Sequence, residues 1–361
     1  MLTAADEWHV HQMPEPIAVA GTDRNFYDRS YFGGWTPDGE LFFALAFGIY
    51  PHLNIADAHL TIVRGGRQHC LHASKVLHSD RATLAVGPVS IEIERPLWAL
   101  RVRVAETEGL GADLRFEGRH FPIEEPRFTY RFGPRAFMDY TRMSQGARVS
   151  GALVVDGQRL ELPEGTVGMR DRSWGIRPIG LGDPQPVVPE EPPQFFWLWA
   201  PVHFAAEVLF WHANEDREGR AWNTRGELAA DGRGAGGLRH AAGTMDVELV
   251  PGTRWVARGT LAVRPQDGAP FELAYEPVAH LEMQGIGYRH PTWVHGGYRG
   301  KELDVAREDV DLDASSPGDL HRWHRQLLCR VRRTGEDGSL DEGMGLLEHL
   351  FIGEHAPLGL R

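Results

Sequence analysis

Glycine and proline interrupt this chain at short intervals, and this spacing constrains its fold more than any other feature of the sequence. The 361 residues include 42 glycines and 24 prolines, and short runs rich in aromatic and branched residues lie between them. Such runs between turn residues are typical of strands, whereas helical periodicity is scarce. In the clearest unit, Thr36-Pro-Asp-Gly39 separates residues 30–35 from residues 40–50, which predicts a strand, a tight turn and a strand. The sequence therefore predicts an all-β protein.

The predicted strands form two series with a break near residues 135–150. The first series has about one strand per ten residues, the rhythm of an antiparallel barrel or sandwich. We therefore predict one domain over residues 1–140 and a second over residues 141–361. One short helix is predicted at residues 315–326, with His321 and His324 exposed on it.

Composition and charge narrow the range of partners and locations. Lys and Arg total 38 and Asp and Glu total 50, which gives a net charge of −12 without a basic stripe. We therefore expect no nucleic acid as a partner and no stable insertion into a membrane, and the sequence leaves a homodimer open. Residues 1–16 lack the pattern of a signal peptide, so a cytoplasmic location is predicted. Cys70 and Cys329 form no CxxC motif and are predicted to be buried free thiols.

The run Gly168-Met-Arg-Asp-Arg-Ser-Trp-Gly-Ile-Arg177 places four ionisable side chains among glycines and a tryptophan. Charged residues are seldom buried unless they are paired, so Arg170, Asp171 and Arg177 beside Trp174 predict an ion-pair cluster at a cavity. Two interpretations stay open: a structural network where barrel meets barrel, or a site in which Asp171 is an acid or an orienting group. Because arginines favour the ionised carboxylate, burial must outweigh them if Asp171 donates a proton.

A proline-rich loop follows that run. Residues 178–193 carry six prolines, which exclude a helix or a central strand. Its position directly after the charged run makes a lid over the cavity a hypothesis.

The aromatic run at residues 194–212 is the second candidate wall of a cavity. Strand alternation places Trp197 and Trp199 on one face and residues 196, 198 and 200 on the other, so both faces are predicted to be buried. An apolar ligand cavity needs such a wall, and an ordinary core has the same composition. His203 and Glu207 are four residues apart, are predicted to share a strand face, and are candidate proton carriers.

Glycines surround two further histidines in residues 285–298. His290 and His295 are candidate proton carriers beside Trp293, but two histidines five apart need a third ligand to bind a metal, and no HExxH or HxH motif accompanies them. We therefore predict no metal. The sequence also lacks a GxSxG elbow, a P-loop and a dinucleotide fingerprint, so no cofactor is predicted.

Three segments of the chain together resemble a known superfamily. They are Gly168-Met-Arg-Asp-Arg-Ser-Trp-Gly175, Gly287-Tyr-Arg-His-Pro-Thr-Trp-Val-His-Gly296 and Gly343-Met-Gly-Leu-Leu-Glu-His-Leu-Phe-Ile-Gly353. These segments are similar to the carotenoid 1,2-hydratase (hydroxyneurosporene synthase) and AttH-like superfamily, in an uncharacterised branch whose pattern is Gly-x-Arg-Asp-His-Ser-Trp-Gly. Arg172 stands where His is usual, and as a further cation beside Asp171 it would favour the ionised carboxylate.

The resemblance implies two consecutive lipocalin-like antiparallel β-barrels with few short helices and an apolar cavity. It also implies relatives that hydrate isoprenoid double bonds or guide the cyclisation of polyenes without a redox cofactor. Such chemistry needs an acid in a dry pocket and aromatic faces that stabilise a carbocation.

Two hypotheses about function follow. The leading one is a cofactor-independent hydratase, lyase or cyclase that acts on a hydrophobic isoprenoid, steroid or aromatic substrate. Its candidate acid–base groups are Asp171, His203, Glu207, His290 and His295, and its candidate substrate contacts are Arg170, Trp174, Arg177, Trp197, Trp199 and Trp293. The alternative is a carrier that binds a lipid-like molecule and transforms nothing.

Overall fold

A computed structural model describes residues 2–9, 11, 23–78, 81–133, 135–182 and 193–361. The first part of the chain contributes β1 (Phe26–Trp35), β2 (Phe42–Tyr50), β3 (Ile55–Arg64), β4 (Arg67–Val76), β5 (Ala85–Val86), β6 (Val89–Arg95), β7 (Ala99–Thr107), β8 (Leu110–Gly118), β9 (Ile123–Glu124), β10 (Phe128–Phe132), β11 (Arg135–Val155), β12 (Gln158–Glu161) and β13 (Val167–Ile176). The second part contributes β14 (Phe195–Trp199), β15 (Val202–His203), β16 (Glu207–Glu215), β17 (Ala221–Ala230), β18 (Leu238–Leu249), β19 (Val256–Pro265), β20 (Phe271–Glu282), β21 (Asp304–Asp311), β22 (Arg325–Gly335) and β23 (Leu340–Ile352). Within the described residues, helix is confined to short 3-10 turns at Ala4–Glu7, Pro51–Leu53, Ala235–Gly237, Met283–Ile286, Leu320–Arg322 and Ala356–Leu358.

The first sheet is an open, half-barrel sheet of 14 antiparallel strands. Its order is β21-β4-β3-β2-β1-β13-β11-β8-β7-β6-β5, and β9, β10 and β12 pair with the long strand β11. The turn between β1 and β2 follows from its Pro-Asp-Gly sequence, because Gly39 adopts a φ of 77° and donates its N–H to the Thr36 carbonyl over 2.9 Å.

The second sheet closes on itself. Its nine strands run β14-β16-β15-β23-β22-β20-β19-β18-β17, and β17 pairs back with β16. The all-β fold of two consecutive antiparallel barrels is therefore confirmed, with the first barrel open along its edges.

The chain passes from the first sheet to the second later than residue 140. The first sheet continues through β11 and β13 to Ile176, and it also takes in β21. The predicted boundary between two domains, at residues 140 and 141, stays a prediction. The predicted helix at residues 315–326 is wrong, because only Leu320–Arg322 form a 3-10 turn and β22 begins at Arg325.

Residues 183–192 of the predicted lid lie outside the described part of the chain. Across the residues that are described, no helix has both the length and the apolar character needed to cross a membrane.

Buried side chains form three apolar clusters, one inside each sheet and one between the two sheets. Strand β14 shows how the sequence produces this arrangement. Trp197 and Trp199 pack into the cluster between the sheets, whereas Leu198 and Ala200 pack inside the second sheet. This confirms the prediction that both faces of the strand are buried. Cys70 and Cys329 are buried free thiols, as predicted.

Candidate functional site

Three adjacent strands of the first sheet turn one face toward the second sheet. In the register of β1, β13 and β11, Asp171 lies between Tyr31 and Ser144. Tyr31 crosses the gap between the sheets, since its hydroxyl donates to Gln326 Oε1 of β22 over 2.8 Å. The charged side chains on this face therefore lie between two sheets and away from bulk water.

A cavity of about 350 Å³ lies in this region, and we call it the aromatic cavity. Its walls are mainly aromatic and aliphatic, with a few ionisable groups placed among them. Lining residues from both sheets include Phe137, Tyr140, Arg142, Trp197, His324 and Glu348. A largely apolar pocket with a few convergent polar groups is the usual form of a small-molecule site.

Asp171 and Arg142 lie on the same face of the first sheet, because Asp171 pairs with Ser144 and Arg142 lies two residues before Ser144 on β11. Burial raises the pKa of Asp171 from 3.8 to about 6. The positive charge of Arg142 opposes this rise, the negative charge of Glu125 adds to it, Arg29 opposes it and Glu348 adds to it. Asp171 keeps intermediate exposure although its cross-strand neighbours are buried, and it is not among the residues that line the aromatic cavity. A carboxyl group with this pKa can hold or release a proton near neutral pH.

Arg142 is fixed as one wall of the aromatic cavity. Its Nε atom donates to Glu125 Oε1 over 2.8 Å, and its Nη2 atom lies 2.8 Å from Glu125 Oε2, so the two side chains form a close ion pair. The guanidinium also lies over Trp197, with its Cζ 4.6 Å from the ring centroid. Its own partner therefore already compensates this cation, which leaves Asp171 without a dedicated counter-ion.

His324 and Glu348 form a second acid–base pair on the cavity wall. Glu348 Oε1 accepts hydrogen bonds from His324 Nε2 over 2.7 Å and from Trp197 Nε1 over 2.8 Å, and Oε2 accepts one from Gln326 over 2.6 Å. Burial alone would raise the pKa of Glu348, but these donors hold it below its usual value. Because His324 Nε2 faces the carboxylate, Nε2 carries the ring proton. His324 is 4% exposed, and its Nδ1 atom has no hydrogen-bond partner in the described structure.

His324 was wrongly predicted to be exposed, and neither it nor Glu348 stood out as a site residue. The prediction failed because the segment before β22 is a turn that leads His324 inward. A signal was available for Glu348, which lies in the apolar run Leu346-Leu-Glu-His-Leu350. A glutamate inside a buried strand needs several hydrogen-bond donors.

The predicted ion-pair cluster around Asp171 is not formed. Successive residues of β13 point to opposite faces, so Arg170 and Arg172 lie on the other face from Asp171. Arg170 Nη1 pairs with Glu7 over 2.8 Å, and Arg172 pairs with Asp28. Trp174 also takes that face and stacks on His11 with 3.8 Å between ring centroids. Arg172 therefore does not act on Asp171 as the sequence suggested.

His203 and Glu207 do not share a strand face, which corrects the prediction from their spacing. The chain reverses between them, so His203 ends β15 and Glu207 begins β16. His203 Nδ1 lies 3.1 Å from Arg119 Nη1, at a different cavity, and burial lowers the pKa of His203. Glu207 pairs with Arg333 over 2.8 Å and with Arg239 over 3.0 Å. Neither residue lines the aromatic cavity.

His295 and Arg177 line a second cavity of about 540 Å³, which we call the arginine cavity. His295 Nε2 donates to the Ile286 carbonyl over 2.8 Å, and burial lowers the pKa of His295. Arg177 lies against Tyr27 and Tyr288, with its Cζ 4.3 Å and 5.2 Å from their ring centroids. The two cavities share Pro178, Tyr288 and Arg289.

His290 also reaches the arginine cavity and belongs to a group of possible metal ligands. Ligand atoms of His72, His290 and Glu308 lie within 4.8 Å of one another. His290 Nδ1, however, accepts backbone N–H bonds from Thr292 and Trp293, so the neutral ring carries its proton on Nε2. That Nε2 donates to Glu308 over 2.8 Å, and it is the atom that would have to bind the metal. His290 therefore fits a metal poorly. Trp293 stacks on His72 instead of lining either cavity.

The two facing sheets with a cavity between them define a class of tandem β-sheet proteins, and solved structures share this fold. NE1406 from Nitrosomonas europaea, a candidate AttH, is 13% identical over 92% of this chain and 95% of that chain, with a TM-score of 0.51. CghA, solved with Sch210972, is 10% identical over 91% of this chain and 89% of that chain, with a TM-score of 0.51. Kievitone hydratase from Nectria haematococca is 13% identical over 97% of this chain and 93% of that chain, with a TM-score of 0.46.

The similarity to NE1406 and CghA shows a shared fold, in agreement with the resemblance noted from the sequence. The chain belongs to the family of unknown function DUF8625, whose model matches residues 2–361. This agrees with the uncharacterised branch named from the sequence. No curated protein sequence matches the chain.

Proposed function

We propose that the protein is a cofactor-independent enzyme of the hydratase, lyase or cyclase type, which acts on a hydrophobic substrate in the aromatic cavity. The observation that carries this proposal is His324 on the wall of an apolar cavity, with Asp171 on the same sheet face as the lining residue Arg142. Asp171 has a pKa near neutrality, and His324 presents a buried, unpartnered Nδ1 atom. A protein of the same fold, CghA, has been solved with the small molecule Sch210972.

In this proposal Asp171 donates its proton to one carbon of a substrate double bond. The electron pair of that bond forms the new C–H bond, and the adjacent carbon becomes a carbocation. The faces of Trp197 and Tyr140 stabilise this cation through their π electrons. In a hydration, water oxygen bonds to the cation and His324 Nδ1 takes the proton of that water. In an isomerisation or cyclisation, His324 removes a proton from carbon instead.

Glu348 is a positioning residue in this scheme. Its carboxylate holds the Nε2 proton of His324, so that the lone pair of Nδ1 stays free to accept a proton. It also stabilises the imidazolium that forms when Nδ1 accepts a proton. The ion pair with Glu125 keeps Arg142 from pairing with Asp171.

The experiment begins with native mass spectrometry of the purified protein and identification of any extracted small molecule. That compound is then incubated with the wild type and with the variants Asp171→Asn, His324→Gln and Asp246→Asn. Asp246 is an exposed aspartate of β18, so its variant is a matched control for the charge change. We expect the wild type and the control to convert the compound, and both site variants to bind it without converting it.

Other outcomes would count against the proposal. If the wild type binds the compound and never converts it, the protein is a carrier. If Asp171→Asn and His324→Gln lose folding together with activity, as judged by circular dichroism, the two residues are structural. Full turnover in Asp171→Asn would remove this residue as the acid.

A further inference from the structure

Two arginines, of which Arg29 is buried and Arg177 half-buried, lie against Tyr288 from the side of the first sheet. Arg29 of β1 and Arg177, which directly follows β13, place their Cζ atoms 4.7 Å and 5.2 Å from the Tyr288 ring centroid. Arg29 is 2% exposed, and its Nη2 donates to the Ile286 carbonyl over 2.6 Å. Arg177 Nη1 donates to the Tyr288 hydroxyl over 3.3 Å. The Nε atoms of both arginines are buried and have no acceptor.

Neither arginine has a carboxylate oxygen within 4.0 Å in the part of the chain that the structure describes. Three other arginines of β11 and β13, namely Arg142, Arg170 and Arg172, each have their own carboxylate partner. Because a buried charge without a partner is costly, the difference between these two sets of arginines calls for an explanation.

The nearby aspartate Asp57 does not fill this role. Its Oδ1 accepts from the Tyr50 hydroxyl over 3.0 Å, and its Oδ2 accepts from the Gly296 N–H over 2.8 Å. Arg289 adds a third cation at the junction of the two cavities, and it likewise forms no ion pair with any described residue. The region around Tyr288 is therefore rich in cationic donors that lack an anion.

The position of these donors relative to the aromatic cavity limits what the anion can be. Arg177, Tyr288 and Arg289 line the arginine cavity, which adjoins the aromatic cavity along Pro178, Tyr288 and Arg289. A molecule that fills both cavities must carry an anionic group at one end and an apolar body at the other.

We propose that the substrate is an amphiphilic carboxylic acid, whose carboxylate binds Arg177 in the arginine cavity while its apolar part occupies the aromatic cavity. This inference rests on the proposed function and names the substrate class of that site. The planar fork of a guanidinium matches a carboxylate, and the Nε donor of Arg177 has no acceptor among the described residues.

Binding of such an acid also prepares Asp171 for its role. The positive charge of Arg29 lowers the pKa of Asp171. A carboxylate bound to Arg177 lies beside the Tyr288 ring that Arg29 also contacts. Its negative charge offsets part of the Arg29 charge, so the bound substrate favours the protonated form of Asp171 that the proposed reaction requires.

The test compares probes that differ only in the head group. Binding of 4-phenylbutanoate, 4-phenylbutanamide and 3-phenylpropyl phosphate is measured by calorimetry and by quenching of tryptophan fluorescence. The proteins are the wild type, Arg177→Gln, Arg177→Lys and Arg264→Gln, an exposed arginine of β19 that serves as the matched control. We expect the wild type and the control to prefer the acid over the amide by on the order of tenfold. Arg177→Gln should lose this preference with unchanged affinity for the amide, and Arg177→Lys should keep part of it.

Several results would overturn the inference. Equal affinity of the wild type for acid and amide would do so, as would an acid preference that survives in Arg177→Gln, or no acid binding in the millimolar range. Tighter binding of the phosphate than of the acid would show that the site takes a phosphate head group and not a carboxylate. If Arg177→Gln does not fold, the comparison of acid and amide in the wild type still decides. These measurements need no turnover, so their failure is distinct from a failure of Asp171 as the acid.

Discussion

Asp171 and Glu348 lie between the same two sheets, and their surroundings move their pKa values in opposite directions. Burial raises the pKa of Asp171 to about 6, and none of the described side chains donates a hydrogen bond to it. Glu348 is also buried, yet its three donors hold its pKa below the usual value. Two carboxyl groups with separated pKa values can serve as a proton donor and as a fixed anion.

The raised pKa of Asp171 has a consequence for stability. Its ionised form is disfavoured in the native state, so the native state loses stability as the pH rises from about 4 through about 6. We expect Asp171→Asn to be more stable than the wild type near pH 7.5, by about 3 kcal/mol. The difference should vanish below about pH 4, where the carboxyl group is protonated in both states.

Urea unfolding at several pH values measures this difference, with Asp246→Asn as the control. An Asp171→Asn variant that is less stable at every pH would show that the carboxylate has a stabilising partner.

At this scale the sequence singled out Asp171 but not the residues around it. Asp171 was singled out by its charged, glycine-flanked surroundings, and Arg177, Trp197 and Trp199 also lie on the inter-sheet side. The other ionisable groups of the site, Arg142, His324 and Glu348, lie more than twenty residues from Asp171 along the chain. No local pattern connects them to β13. Their contacts depend on how two sheets face each other, which local spacing does not encode.

At the scale of the element, β13 separates two functions by simple alternation. One face carries Asp171 toward the second sheet, and the opposite face carries Arg170 and Arg172 toward Glu7 and Asp28. Arg172 also donates to the Trp8 and Asp6 carbonyls, so it anchors the segment that begins at Ala4. Period-two alternation of β13 could have been predicted from its sequence and would have removed Arg170 and Arg172 from the site.

This alternation predicts that Arg172 is structural. Its guanidinium holds the pKa of the buried Asp28 well below the usual range, against the opposing effect of burial. We expect Arg172→Met to lower the free energy of unfolding at neutral pH by about 3 kcal/mol, because the buried charge of Asp28 then keeps only His11 as a close partner. The double variant Arg172→Met/Asp28→Asn should recover part of this loss.

Chemical denaturation of the single and double variants measures both effects. Binding of 4-phenylbutanoate should stay within a few-fold of the wild-type value in the folded double variant. A double variant no more stable than Arg172→Met would mean that the carbonyl contacts of Arg172 dominate.

At the scale of the whole molecule, the two sheets share a core and a site. The largest apolar cluster lies between them, Tyr31 bonds to Gln326 across the gap, and β21 from the later part of the chain pairs with β4. The all-β class and two successive barrels followed from turn spacing and resemblance. The return of β21 to the first sheet could not be predicted, because nothing in its sequence specifies a partner more than two hundred residues earlier.

We therefore expect the two sheets to unfold as one cooperative unit. Differential scanning calorimetry should give a single transition whose calorimetric and van't Hoff enthalpies agree. Tyr31→Phe leaves Gln326 Oε1 without its donor and should lower the midpoint of this transition without splitting it. Two resolved transitions in either protein would show that the sheets are independent.

The pairing of β21 with β4 also affects the way the protein is made. During synthesis, β1 to β13 leave the ribosome well before Asp304–Asp311, the residues that cover the backbone edge of β4. Domains usually fold as their last residues emerge. In the nascent protein, the edge of β4 therefore stays unpaired during the synthesis of more than one hundred residues. Until β21 pairs with it, this edge is open to chaperones and to aggregation with other chains.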